Sequence, residues 1–364
     1  MEFAGSSWFL PAAGLVAGAA IGYAARRQHF CTMSALERHW YAGDSHGLRT
    51  WVLAAAVALV LTQALAHAGY ADLDNSFYLQ PSFGLTGAIL GGLAFGFGMA
   101  LVGTCGFGAL VQAGGGSLRS VVVLLVLGLS AMAAQRGLVA QARVKLVDDL
   151  AIDLSFAGNQ SLGALASAAA GVNLRLATAA LAALALLWWV FRDGSFRRAG
   201  GRIASATIIG AAIAFGWVAT TLAFRESFDP VQIEAGSFVV PVADSIRQVT
   251  TFTGIWPDYG VGLVVGVLVG ASVCAWRRKD VRWEACDDAR ELGRHLAGGL
   301  LMGVGGVFAM GCTIGQGVTA VSALAVSAPF VVGAIAVGAR VGLAVLIEGS
   351  ALAAFLPVPN RPAE

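Results

Sequence analysis

The sequence predicts an all-α polytopic membrane protein, and three observations carry that prediction. Hydrophobic residues fill 57% of the 364 positions and charged residues only 12%, about half the charge of a typical soluble chain. The mean hydropathy is +0.76. Apolar runs long enough to cross a hydrocarbon core of about 30 Å recur throughout, without the short alternating pattern of barrel strands.

Spanning or near-spanning segments are expected at about 8–25, 50–69, 84–102, 120–135, 174–191, 203–224, 259–276, 296–310 and 329–350, nine in all. Met1-Glu2-Phe3 lack the basic start of a cleavable signal, so the first run is expected to be retained. Shorter apolar pieces at about 31–37, 105–114 and 312–327 each follow a cysteine. They are too short or too glycine-broken to span, and read as half-helices or re-entrant segments.

Basic residues set the orientation. Arg26-Arg27, the group Arg192, Arg197, Arg198 and Arg202, and Arg277-Arg278-Lys279 are expected to face the cytoplasm. The connection 70–82, with Asp72 and Asp74, and the acidic loop 225–258, with Glu226, Asp229, Glu234, Asp244 and Asp258, are expected to face outward.

Two stretches repeat one another. Gly91-Gly92-Leu93, Gly96, Gly98, Cys105 and Gly108 recur as Gly298-Gly299-Leu300, Gly303, Gly305, Cys312 and Gly315, each pair 207 residues apart. The first copy follows an outward loop and the second an inward one. That is the signature of an inverted-topology repeat, whose substrate site falls near the midplane on interrupted helices. The expected halves are 1–157 and 158–364. Glycine repeats also serve helix packing, but close packing does not require the cysteine.

Cys105 lies in Gly103-Thr104-Cys105-Gly106, and Cys312 in Gly311-Cys312-Thr313-Ile314-Gly315. A break there leaves backbone N–H groups free at the start of a short helix, where an anion is favoured. A thiol adds a weak, polarizable donor suited to sulfur. The common role of a membrane cysteine is a small buried hydrophobe; the in-register duplication is what argues for function. Cys31, after Arg26-Arg27-Gln28-His29-Phe30, reads as a way-station toward the cytoplasm.

Arg340 interrupts an apolar run and Arg136 ends the matching helix of the first half. Arginine at membrane depth usually faces a cavity, a partner or an ion path. Glu348, eight residues beyond Arg340, offers a structural ion pair as the alternative. Cys274 reads as packing and Cys286 as an exposed thiol.

The five cysteines lack zinc spacing, and no metal or cofactor is expected. HExxH, P-loop, Rossmann and triad patterns do not occur in the sequence, so a transport role would be channel-like or secondary. A net charge of +2 gives no reason to expect nucleic acid as a partner.

At these residues the sequence resembles the YeeE/YedE family of inner-membrane sulfur-compound transporters. The matching motifs are Arg27…Phe30-Cys31, the glycine-rich approach to Gly103-Thr104-Cys105-Gly106, and Leu301-Met302-Gly303…Gly311-Cys312-Thr313-Ile314-Gly315. The resemblance runs from about Gly14 to Gly349. It implies an hourglass-shaped helical protein importing thiosulfate, passed along Cys105, Cys312 and Cys31 through S–H···S contacts. It also implies a TusA-like sulfur-carrier protein on the inner side, here expected as a separate chain. Two alternatives stand beside it. One is a membrane sulfurtransferase forming a cysteine persulfide, and the other a permease for another small sulfur or selenium anion.

Overall fold

Small residues at four-residue spacing dictate how the helices of this protein approach one another. The computed structural model describes residues 8–227, 230–254, 256–286 and 288–355. Met1-Glu2-Phe3 and Asp229 lie outside the described residues.

The first half runs α1 (Phe9–Gln28), α2 (Thr32–Tyr41), α3 (His46–His67), α4 (Leu85–Val102), α5 (Gly106–Ala113) and α6 (Leu118–Arg136). Connecting helices α7 (Leu138–Arg143) and α8 (Leu162–Ala170), then α9 (Arg175–Phe191) and α10 (Gly194–Arg197), lead into α11 (Gly200–Glu226). The chain continues through α12 (Val240–Thr250), α13 (Tyr259–Arg277) and α14 (Ala289–Phe308). A short helical segment over 313–322 follows, its centre Gly315–Ala320 wound in the wider π form, and then α15 (Ser327–Glu348). A two-stranded antiparallel ribbon, β1 (Ser82–Phe83) with β2 (Ile152–Asp153), ties the connection before α4 to the mid-chain linker, with Ser82 opposite Asp153.

Among the described residues, seven stretches are long and apolar enough to cross a membrane, against the nine expected. The difference has two causes. Helix α9 has only 17 residues. Helix α14 is long enough, but Arg290, Glu291, Arg294 and His295 occupy its first two turns and lower its hydropathy.

Where glycines face a neighbour, backbones touch. Gly14, Gly18 and Gly22 of α1 meet the Tyr259, Leu263 and Val267 carbonyls of α13, while Gly262, Gly266 and Gly270 return the contact to Pro11, Leu15 and Ala19. The duplicated glycines also meet each other. A methyl added to Gly91 would lie 2.6 Å from the Gly305 oxygen, and one on Gly305 would lie 2.6 Å from the Gly91 oxygen. Gly98 and Gly298 mirror this at 2.6 and 2.7 Å, so α4 and α14 cross antiparallel, glycine to glycine. Helix pairing is matched across the chain: α1 packs on α13 as α11 packs on α3, and α4 packs on α15 as α14 packs on α6.

The region 225–258, expected as an outer loop, holds α12 and a segment that dips inward. Ile233, Ala235, Phe238 and Val239 are buried there. Their apolar side chains draw the segment into the core, and Pro241 starts α12 where no intrahelical N–H is needed.

Helix starts are capped by acids: Asp258 accepts the Val261 N–H at 2.8 Å and Asp288 the Glu291 N–H at 2.6 Å. Asp288→Ala is predicted to cost about 1 kcal/mol, lowering the melting temperature of the detergent-solubilised protein. An unchanged melting curve would show that this cap contributes nothing.

Candidate functional site

Each motif cysteine begins a short helix. Cys105 precedes α5, and its sulfur accepts the Gly108 N–H at 3.4 Å. Cys312 does the same for Gly315 at 3.4 Å. Both are fully buried. The chain breaks differently before each one. Gly103 ends α4 with φ +81°, a left-handed conformation that favours glycine, and its N–H bonds back to Met99 and Ala100. Before Cys312 the break takes two residues, Met310 (φ 54°) and Gly311 (φ 156°). Gln316 then ties the turn by donating to the Ala309 and Met310 carbonyls at 3.0 and 3.1 Å.

Cys31 occupies the position before α2 in extended conformation and makes no capping bond of its own. Its thiol faces the Cys105 thiol and lies 3.7 Å from Thr104 Oγ1. Thr313 also stands beside Cys105, its buried hydroxyl near the thiol but without a hydrogen bond of good geometry. The structure therefore brings Cys31, Thr104, Cys105 and Thr313 together, and a methyl added to Gly106 would lie 3.0 Å from the Leu127 side chain. The neighbours of Cys312 are the N–H groups of its own helix start and the Phe238 backbone.

Aromatic rings pack at the centre. The Phe107 ring packs tilted against Phe238 at 4.9 Å and meets Phe30 edge-on at 6.3 Å. Phe238 lies 208 residues after Phe30, one step out of the 207-residue register, which is why a search at fixed offset passes over it.

Two cavities approach these thiols, and they lie at opposite ends of α1 and α11. A cavity of 550 Å³ opens near Leu10 and Ala223, and is lined at its deep end by Ser237, Gly306 and Gly311. A smaller one of 80 Å³ lies near Gln28 and Arg202 and is lined by Cys31, Arg38 and Trp51. With 1.5 Å of rise per residue, these ends are separated by roughly 27 Å along α1.

Acids line the larger cavity at Glu234, Asp244 and Asp258. Burial holds the Glu234 carboxyl well above the usual carboxylate range, and the charges of Asp258 and Asp244 push it the same way. Asp244 is paired with Arg247 at 3.0 Å and also feels Arg136. A Glu234 carboxyl that stays neutral to a higher pH makes the cavity less negative than its composition suggests.

The two sequence-expected arginines sit apart from the thiols. Arg136 is near enough to Asp244 for its charge to reach that carboxyl. Arg340 stacks over Tyr41 at 4.9 Å and Trp40 at 5.7 Å and donates to the Ala354 carbonyl at 3.3 Å. Tyr41, rather than Arg340, hydrogen-bonds Glu348, at 2.9 Å. Cys274 is buried as expected, whereas Cys286, expected as an exposed thiol, is half-buried 3.8 Å from His295 Nδ1. No group of His, Cys, Asp and Glu able to hold a metal occurs among the described residues.

Sequence reasoning missed two hydroxyl residues. Tyr78 is buried against Trp217, its ring 6.2 Å away and edge-on, and its hydroxyl, beside Ser237, makes no hydrogen bond of good geometry. Leaving a buried hydroxyl unpaired costs about 1–3 kcal/mol. Ser237 lies at the deep end of the larger cavity. Both belong to segments read as outer loops, where polar residues carry no signal of burial.

The chain matches the family described as Sulphur transport over residues 27–341. The thiosulfate transporter TsuA of Spirochaeta thermophila is 27% identical over 323 residues, covering 86% of this chain and 92% of that protein. The thiosulfate transporter TsuA of Escherichia coli is 24% identical over 325 residues, covering 84% and 85%. Two cysteine-capped half-helices, held by an α-helical framework with seven membrane-length stretches, thus coincide with a family match over most of the sequence. The chain belongs to the Sulphur transport (YeeE/YedE) family, and is a multi-pass membrane transporter of sulfur compounds rather than an enzyme.

Proposed function

We propose that this protein imports thiosulfate across the bacterial inner membrane, passing the ion from Cys312 to Cys105 and Cys31 without covalent chemistry. The observation that carries the reading is the pair of buried thiols, Cys312 and Cys105, with the half-buried Cys31 facing Cys105 and lining the smaller of two cavities at opposite ends of the same helices. Thiosulfate is a dianion with three oxygens and one soft sulfur. Thiols offer that sulfur weak contacts, and weak contacts suit a path that must release as well as bind. Backbone N–H groups at each half-helix start favour the negative charge.

In this reading the halves 1–157 and 158–364 are inverted repeats. The matched pairings and the reciprocal contacts of Gly91 with Gly305 and Gly98 with Gly298 support it. The 550 Å³ cavity is the outer vestibule and the 80 Å³ cavity the inner exit. Gly103, Gly106, Gly311 and Gly315 shape the breaks, while Thr104 and Thr313 supply hydroxyls beside the thiols. Arg136 and Arg340 support the helices. Arg38 and Arg202 at the exit would draw the anion inward, toward a TusA-like carrier protein docking there.

The test is thiosulfate-dependent growth of a bacterium whose own uptake systems are deleted and which carries this gene. Growth is expected with wild type and expected to fail with Cys31→Ala, Cys105→Ala or Cys312→Ala at equal membrane levels. A cysteine persulfide trapped on the purified protein after thiosulfate exposure would replace this reading with sulfur transfer.

Glu234 supplies a pH prediction. Its carboxyl is neutral up to a higher pH than an ordinary glutamate, so raising the pH adds negative charge to the vestibule. Uptake is expected to fall as the outer pH rises through that titration, and Glu234→Gln should flatten the profile. A profile identical in both proteins would rule Glu234 out as its source.

A further inference from the structure

The two half-helix starts are built alike but furnished differently. In each, the glycine three residues after the cysteine donates its N–H to the thiol and has its α-carbon open toward other side chains. Around Gly108 those side chains are Thr104, against which an added methyl would collide, and Cys31, whose sulfur would lie 3.5 Å away. Around Gly315 they are two hydroxyls. A methyl there would sit 2.9 Å from Tyr78 Oη and 3.1 Å from Ser237 Oγ. One start is thus furnished with a second thiol, the other with oxygen donors alone.

The hydroxyls are held in place from several sides. Tyr78 is fixed by its stack on Phe77, with ring centroids 3.9 Å apart, and by Trp217, whose indole N–H donates to Ser322 at 3.0 Å. Ser237 follows Gly236, whose N–H donates to Thr319 Oγ1 at 3.2 Å and whose carbonyl accepts from the same hydroxyl at 2.7 Å. That clasp pins the inward-dipping segment to the Cys312 helix. Yet the Tyr78 hydroxyl, 98% buried by residue, has only the Ser237 hydroxyl beside it and makes no hydrogen bond of good geometry. A donor fixed in place and left unsatisfied beside a helix start is arranged to meet an acceptor that arrives from outside.

We infer that Tyr78 and Ser237, converging with the Cys312 thiol on Gly315, form an oxygen-reading station that grips the sulfonate end of the incoming anion. The station around Cys105, Cys31 and Thr104 then reads the terminal sulfur. This rests on the thiosulfate reading above and deepens it, dividing recognition between two places. The outer station admits tetrahedral sulfur oxyanions on their shared oxygens; the inner one passes those with a soft sulfur. Sulfate, which carries oxygens but no terminal sulfur, therefore competes at the first station and is not transported.

Calorimetric titration of thiosulfate into the purified full-length protein, with sulfate as competitor, tests the division. Tyr78→Phe keeps the ring packing and removes only the donor; Ser237→Ala is an independent second variant. Each is expected to weaken thiosulfate binding roughly tenfold or more, the scale of one lost hydrogen bond to an anion. Melting curves should stay close to wild type, and sulfate competition should weaken in parallel. Cys31→Ser should leave sulfate competition intact while stopping thiosulfate uptake into proteoliposomes. Wild-type binding in both hydroxyl variants would overturn the oxygen station while leaving thiosulfate transport standing. A wild-type protein that binds no thiosulfate would overturn the thiosulfate reading itself, and this assignment with it.

Discussion

Cys312→Ser is expected to lower thiosulfate uptake at least tenfold, with the protein still folded and present in the membrane. The substitution keeps a donor at the same backbone position and removes only the soft atom. Serine is smaller than cysteine, and the site is fully buried, so the void left behind is minor and the fold should persist. The contact changes more. A hydroxyl forms strong, directional bonds to hard oxygens, and here it can also take the Gly315 N–H that the sulfur now accepts at 3.4 Å. The ion then exchanges a weak, releasable thiol contact for a hydroxyl that holds its oxygens and slows its passage inward, and a deficit of about 1.4 kcal/mol at one transition state is already tenfold in rate. Cys105→Ser should behave alike, since its sulfur caps α5 with the same geometry. Initial-rate uptake of labelled thiosulfate into vesicles is the measurement. A serine variant transporting at the wild-type rate would mean that the path reads charge and shape alone.

The largest effect on folding is expected at the crossing of α4 and α14. Gly98→Leu places its first carbon 2.6 Å from the Gly298 carbonyl oxygen, 2.9 Å from Leu301 Cβ and 3.0 Å from the Met302 nitrogen. Two of these atoms are backbone, so no side-chain rotation relieves the clash and the helices must separate. Overpacking in a core costs about 1–3 kcal/mol, and this is its severe form. The consequence extends beyond stability because α4 leads into the Cys105 break and α14 into the Cys312 break. Little folded protein is expected by fluorescence-detected size exclusion, and what remains should not transport. Gly333→Ala is the control. An added methyl there meets nothing within 4 Å, so the substitution should be neutral or raise stability by up to about 1 kcal/mol through helix propensity. Equal behaviour of the two variants would contradict the packing account.

Much of this architecture is legible in the chain because its determinants are local or periodic. Hydrophobic run length is a property of consecutive residues, and membrane thickness translates it directly into helices. The 207-residue register exposed Cys105 and Cys312 and placed a break before each. Arg136 and Arg340 show the limit of such reasoning. Their cost in an apolar run is visible in sequence, but their surroundings come from other elements, the nearby charge of Asp244 for one and the Trp40–Tyr41 pair for the other. The segment 225–258 shows the same limit from the opposite direction. Its acids mark it as an outer loop, while Ile233, Phe238 and Val239 turn part of it inward.

The sequence by itself determined a polytopic helical protein, the duplicated glycines and the cysteine-headed half-helices, since each follows from composition, spacing and backbone conformational cost. Only the tertiary structure decided that Cys31 faces Cys105, that Phe30 and Phe238 both pack on Phe107, and that Tyr78 and Ser237 meet at Gly315. These contacts join residues tens to hundreds of positions apart. Burial and shape fit select them when the helices pack, and no local pattern encodes which distant side chain fills a given space.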